Sequence, residues 1–499
     1  MTIVPYKTTI TYKPLLRYGA TAALVLSAAW HGISASAQNY DSKAVLPELG
    51  DSSSSLFSLQ QEYKLGRAWL MSFRSQVKTI SDPMLQDYLE HTVYHLATYS
   101  QLKDRRLDMV IVNNPTINAF AVPGGVVGIH TGLFNYAETE AQFSTVLAHE
   151  LAHLSQRHFA RGVEQQRRNA IPNMAGMLAG ILLAATEGGN AGMAAITATQ
   201  AASLQNQLRY SRGNEQEADR IGMQTMVEAG IDPYAASAMF SNMLKASRFA
   251  GTRPPEFLLS HPVTEKRIAD TRNRANQYPR QLYTDNMYYQ LMRARADISL
   301  IDNSREAVKN FRAKLNSRSR NPEADQYGLV LALTRDGQIG EAQKLLAPLL
   351  AASPSQIPYI IAASELDVAS GNSSQGIERV EKALSVSLDN HPLTMTLATF
   401  LLKEGQAPKA AELLEEHVKK HKKNPEVWYQ LAEAYGLAGN IVGVHQARAE
   451  YFVLNGILDK ATTQLSYALP LTKNDHLTTL RINERISQIN ELKLALKSL

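Results

Sequence analysis

The 499 residues contain no cysteine, so no disulfide can brace the fold and no thiolate can hold a metal. Any metal centre must be built from histidine and carboxylate. Charged residues make up 19% of the chain and apolar ones 44%, a balance that fits a soluble globular protein rather than a disordered or membrane-embedded one. Long apolar runs are missing as well. The segment 171–204 is rich in Ala, Gly and Met, yet its apolar core at 174–185 has only 12 residues, short of the ~20 that a spanning helix needs. A buried or surface-lying helical hairpin is expected there, shielding a cleft and making peripheral membrane contact.

A surplus of either charge is also lacking, because 51 Lys and Arg face 46 Asp and Glu for a net +5. Three of the basic residues, Lys7, Lys13 and Arg17, precede an apolar run at 18–30 that leads to Ala35-Ser36-Ala37. This is the layout of a cleavable secretory signal. Residues 1–37 carry three basic and no acidic side chains, so the charge beyond them is 5 − 3 = +2. That argues against a nucleic-acid partner. Export without disulfides points to a bacterial envelope.

The remaining pattern predicts a chain in parts: 1–37 signal peptide, 38–58 a flexible Ser- and Asp-rich lead-in, 59–280 one domain and 281–499 another. Residues 59–101 read as helical, with Leu65, Leu70, Phe73, Leu85, Leu89 and Val93 at helical spacing. A β-like run at 107–112 and two apolar stretches around Pro123-Gly124-Gly125 predict a small sheet. Helical spacing returns at 138–158 and again at 214–229, where Gly230 and Pro233 stop it.

Beyond residue 285 the chain repeats. Gly337, Gly371, Gly405 and Gly439 are each 34 residues apart, with the small or apolar Ala342, Gly376, Ala410 and Val444 five residues later. Pro322, Pro354, Pro392 and Pro425 mark the junctions. A 34-residue helix-turn-helix period is that of tetratricopeptide repeats, and about six hairpins are expected over 285–499, atypical at both ends. The expected fold is therefore mainly α: an α+β domain with a small sheet, followed by an α-solenoid.

The metallopeptidase expectation rests on His149-Glu150-Leu151-Ala152-His153. Four-residue spacing puts both imidazoles on one helical face, ready for one Zn²⁺, with Glu150 beside the open position as general base. Two surface histidines on an ordinary helix would give the same string, so a third ligand is needed. A metzincin would have Gly at 156 and His at 159, where this chain has Gln156 and Phe159. His158, nine residues after His149, falls on the wrong face of a continuous helix and is expected at the surface. Glu215 and Asp219 share a face of the 214–229 helix, which makes Glu215 a ligand candidate and Asp219 a partner that fixes a ligand imidazole. Glu217 points about 200° around that helix and is the weaker choice. Phe120, Ala121 and Val122 are expected on an edge strand that pairs with an extended peptide.

HELAH, the string SRGNEQEAD that holds Glu215 62 residues after His153, and Asn118-Ala119-Phe120-Ala121-Val122-Pro123-Gly124-Gly125 together resemble the peptidase family that includes the CAAX prenyl proteases. Within it, the similarity to a periplasmic, repeat-bearing branch covers nearly the whole chain. The resemblance implies a gluzincin-type zinc endopeptidase with one Zn²⁺ on His149, His153 and Glu215. It also implies a periplasmic, chaperone-like role, with association to the outer membrane: promoting assembly of outer-membrane β-barrel proteins and degrading misassembled ones. The assembly machinery would meet the repeat groove. It further draws attention to His261, in Ser260-His261-Pro262, as a fourth ligand that closes the site, and to Arg267 as an oxyanion stabiliser or an ordinary ion-pair partner. The competing reading is a repeat scaffold in which proteolysis is secondary or latent.

Overall fold

The computed structural model describes residues 58–168, 212–249, 255–317 and 319–497. The expected signal peptide, all of the lead-in except Ser58, and the 171–204 hairpin lie outside the described residues. The described residues fall in one compact unit, Ser52–Leu499. Among them no helix is long and apolar enough to cross a membrane.

The helical stretch at 59–101 is two helices, α1 (Leu59–Gln76) and α2 (Pro83–Tyr99). Ser58 and Gln61 close a capping box on α1. Asp82 accepts from the Met84 and Leu85 amides at the head of α2, and Pro83 takes the first helical position, where no N–H is needed. The extended chain between them uses Thr79 to bridge Val112. Helical spacing on both sides of this short break hides it in the sequence.

The sheet has the order β1-β3-β2, with β1 (Asp108–Val112) parallel to β3 (Val126–His130) and β2 (Ala119–Val122) antiparallel to it. β2 is thus an edge. Phe120 pairs with Gly128, and a Cβ at Gly128 would lie 2.0 Å from the Phe120 ring, so the ring covers the glycine and pins the register. After the sheet come α3 (Gly132–Tyr136), α4 (Glu140–Ser155), which packs on β2, α5 (His158–Arg168), α6 (Arg212–Glu228), α7 (Tyr234–Phe249), α8 (Glu256–Ser260) and α9 (Glu265–Ala275).

The rest of the chain is a succession of helices: α10 (Met287–Ser299) and α11 (Ser304–Asn316) both pack on α12 (Pro322–Arg335), which pairs with α13 (Ile339–Ala352), while α14 (Ile357–Ala369) pairs with α15 (Ser373–Val386) and α16 (His391–Lys403) with α17 (Ala407–Lys420). α18 (Pro425–Leu437) with α19 (Ile441–Leu454), and α20 (Leu458–Ala468) with α21 (His476–Lys497), complete the series. Gly337, Gly371, Gly405 and Gly439 sit in the turns at φ 78°, 82°, 71° and 79°, a conformation that a Cβ penalises.

The repeats do not hang free of the first half. Tyr289 of α10 is fully buried among Tyr88, Phe134 and Phe143, and its hydroxyl donates to the Ala137 carbonyl at 2.7 Å. Arg295 pairs with Asp82 at 2.6 Å. Farther along, α16 packs on α2, and Lys423 reaches Asp108 of β1 at 3.2 Å. One contiguous apolar core runs from Met84 to Ala447.

Candidate metal centre

α4 begins at Thr139, whose hydroxyl accepts from the Gln142 amide, and its residues from Gln142 to His153 are buried on every side. A helix this enclosed can hold ionisable groups only where partners meet them, since an unpaired buried charge costs several kcal/mol. The partners come from α6. Ala148 and Ala152 on α4 face Ala218 and Gly222 on α6, small residues one turn apart on each helix. A Cβ at Gly222 would stand 3.1 Å from the Ala148 carbonyl and from the His149 amide nitrogen. The two axes therefore approach closely, and Glu215, two turns before Gly222 on the same face, is delivered to the histidines.

Nε2 of His149 and Nε2 of His153 are 3.0 Å apart. The Glu215 carboxylate lies 3.5 Å from each of them, through Oε2 and Oε1 respectively. His261 Nδ1 is 3.0 Å from Glu215 Oε1 and 3.4 Å from His149 Nε2, while its Nε2 stands 3.6 Å from Glu150 Oε1. All five side chains are buried. His261 ends the short helix α8, donating its amide to the Phe257 carbonyl at 2.7 Å and stacking on the Phe257 ring at 4.8 Å.

The far sides of the two imidazoles decide what their near sides offer. His149 Nδ1 is 3.1 Å from Asp219 Oδ1, which accepts its proton. His153 Nδ1 is 2.7 Å from His158 Nδ1, and His158 Nε2 is 3.2 Å from Glu217 Oε2. Glu217 accepts from His158 Nε2–H, so His158 Nδ1 is an acceptor and His153 Nδ1 the donor. Both Nε2 atoms then present lone pairs to each other and to a carboxylate, an arrangement that repels unless a cation sits among them. The donor set thus fits a divalent metal. The same demand for positive charge shows in His149: burial pushes its imidazole down, but the bonds to Asp219 and Glu215 outweigh it and raise it to about 9. Burial pushes Glu150 up, although the Ala121 amide of β2 donates to its carboxylate.

Arg267 is buried and committed, donating to Asp219 through two bonds of 2.8 and 2.7 Å, to the Pro262 carbonyl at 2.8 Å, and pairing with Glu215 at 2.9 Å. Of its two expected roles, the ion pair is the one the geometry displays. Burial opposes the charge on Glu215, yet His261 and His149 hold its carboxyl well below the usual range. Ala121 brings the edge strand to Glu150, and the Phe120 ring turns away into a cluster with Trp69 and Phe73.

His158 departs from the sequence expectation. It is only 1% exposed, because α4 stops at Ser155, Arg157 takes φ 51°, and α5 starts afresh at His158. The turn swings the ring back onto His153. A continuous helix over 138–158 would have faced it outward, and the only hint against that helix was the polar run Ser155-Gln156-Arg157. Glu217, set aside as a ligand, is placed behind the site as the partner of His158 and of Arg161.

The model of peptidase family M48 matches residues 83–275, and a tetratricopeptide repeat model matches 391–434. A beta-barrel assembly-enhancing protease of Escherichia coli (strain K12) is 35% identical over 457 residues, 91% of this chain and 93% of its own. Its counterpart in Yersinia pestis is 33% identical over 452 residues, covering 90% and 92%. The mitochondrial metalloendopeptidase OMA1 of Arabidopsis thaliana is 28% identical over 207 residues, 40% of this chain and 37% of its own.

Proposed function

The chain belongs to the family of the beta-barrel assembly-enhancing proteases, and from that premise we propose that it is a zinc endopeptidase of the bacterial periplasm. In this reading it promotes the assembly of outer-membrane β-barrel proteins and degrades those that misassemble. The observation that carries the chemistry is the set His149, His153 and Glu215 with Glu150 beside it. Two imidazoles and a carboxylate, with no thiolate in the chain, favour zinc among borderline divalent ions.

His149, His153 and Glu215 would hold the metal, which would supply Lewis-acid chemistry to a water and to the scissile carbonyl. Glu150 takes the proton of the attacking water and delivers it to the departing amine, and its burial helps by making its carboxylate a stronger base. Asp219 and His158 hold the ligand imidazoles in one tautomer, and Arg267 holds Asp219 and Glu215 in place. An extended peptide added along β2 at Phe120, Ala121 and Val122 would run past Glu150, bound through its main chain with little sequence preference. That suits unfolded segments. The peptidase unit is taken as 59–280 and the repeat unit, whose groove would receive the assembly machinery, as 281–499.

His261 supports a second reading alongside the first. At 3.0 Å from Glu215 and 3.6 Å from Glu150 it occupies the side that water and substrate need, so the resting enzyme is latent and the repeats act as chaperone. One variant separates the roles. Glu150→Gln is expected to keep its metal and lose cleavage of an unfolded barrel protein by ~10²–10⁴-fold; undiminished cleavage would remove Glu150 as the base, and full rescue of barrel assembly by the inactive variant would assign the assembly role to the repeats alone.

A further inference from the structure

A second histidine cluster lies among the repeats, on α16 and at the end of α17. His417 and His421, four residues apart, project from the end of α17, and His391 opens α16. Their ligand-capable nitrogens lie within 4.8 Å of one another. His391 Nδ1 is 2.8 Å from His417 Nε2, and the three rings are stacked at centroid distances of 5.1, 4.8 and 4.2 Å. His391 and His417 are buried and His421 half-buried.

An imidazole triad of this kind is an expensive way to fill a core, since three polar rings take the place of apolar side chains. Desolvation holds His391 down to about 3 and His417 to about 4, with the neighbouring rings adding to it in His391 and His421 to it in His417. All present neutral, lone-pair-bearing nitrogen at neutral pH, the form that binds metal. A second observation marks the same place. Asp389, whose carboxylate acts electrostatically on His417 and His421, holds φ 62° and pairs with Lys420. A non-glycine residue held there is uncommon, and such strain gathers at functional positions.

We propose that His391, His417 and His421 form a second divalent-metal site, taking zinc or a similar borderline ion, with Asp389 or water at the remaining position. On binding, the hydrogen that bridges His391 and His417 moves to the other nitrogen of its own ring, so each imidazole stays neutral, keeps one N–H and turns a lone pair to the ion. Three imidazoles and one open position are an accepted zinc arrangement. The site tethers the start of α16 to the end of α17 beside the turn that docks on the first half: Asn424 contacts His391 at 3.3 Å, Lys423 reaches Asp108, and Glu90 of α2 acts on His421. Metal there fixes how the repeats seat on the peptidase unit.

The test is zinc stoichiometry on the purified protein, dialysed against buffered free zinc and followed by elemental analysis. Wild type is expected to hold two equivalents. A His417→Asn/His421→Asn variant should hold one and still cleave an unfolded protein, whereas a His149→Asn/His153→Asn variant should hold one and not cleave. The half-buried position is the control for misfolding: His421→Asn alone should weaken the second equivalent at least tenfold and abolish the zinc-dependent rise in Tm that the peptidase-site variant retains. A single equivalent in wild type, or two in the His417→Asn/His421→Asn variant, overturns the proposal. Loss of the peptidase equivalent alone would instead strike at the reading of His149 and His153.

Discussion

His158 Nδ1 lies 2.7 Å from His153 Nδ1, and the ring that makes this contact is turned toward it by the left-handed residue Arg157. Imidazole orienting imidazole, with Glu217 behind, holds the lone pair of His153 toward the metal position. Replacing His158 with Ala is expected to weaken metal binding roughly 10–100-fold, as loss of an outer hydrogen-bond partner does. Competition against a chelator of known affinity measures it, and unchanged affinity would reduce His158 to packing.

His261→Ala is expected to raise cleavage of an unfolded substrate while metal content stays at the wild-type level. His149, His153 and Glu215 remain to hold the ion, and the ring beside Glu150 is gone. Parallel turnover and metal assays read the two effects; loss of metal without gain of activity would make His261 a structural ligand.

Gly222→Val is expected to destabilise the protein by about 1–3 kcal/mol through overpacking and to weaken metal binding more than stability. The added side chain meets the backbone of Ala148 and His149, which cannot yield like a flexible side chain. Denaturant unfolding beside metal competition separates the two. A stability loss with metal affinity intact would mean that α4 and α6 separate without withdrawing Glu215.

Gly456→Ala tests the contact between the repeats and α1. Gly456 holds φ 68°, and a Cβ there would sit 2.4 Å from the Met71 carbonyl oxygen. Both strain and collision act at one point, so faster limited proteolysis within 455–475 and a lower Tm are expected, with His149, His153 and Glu215 untouched. An unaltered digestion pattern would show that this seat is not under tension.

The proposed ligands His149, His153 and Glu215, with Asp219 behind them, could be picked out because regular spacing encodes them: four residues separate His149 from His153 and Glu215 from Asp219, one helical turn each. The 34-residue glycine period was readable for the same reason. His158 was not, because a single positive φ at Arg157 resets the helical phase and no pattern announces it. The break between α1 and α2 was hidden likewise. Nor could spacing show that Lys423 meets Asp108 or that Tyr289 fills the aromatic pocket of Tyr88, Phe134 and Phe143, since those pairs are set by the tertiary path of the chain. The small residues Ala148, Ala152, Ala218 and Gly222 were visible as letters, but their meaning depends on which helix faces which.

The continuous core from Met84 to Ala447 also sets an order of events as the chain emerges, N-terminus first. Synthesis delivers α4 and α6, with every peptidase ligand, well before Tyr289 and longer still before α16. Until those helices arrive, the faces of Tyr88, Phe134 and α2 that they cover stay open to water, and a nascent chain with such faces bare is prone to aggregate or misassemble. The repeats made later are thus also the wall against which the first-made half completes itself.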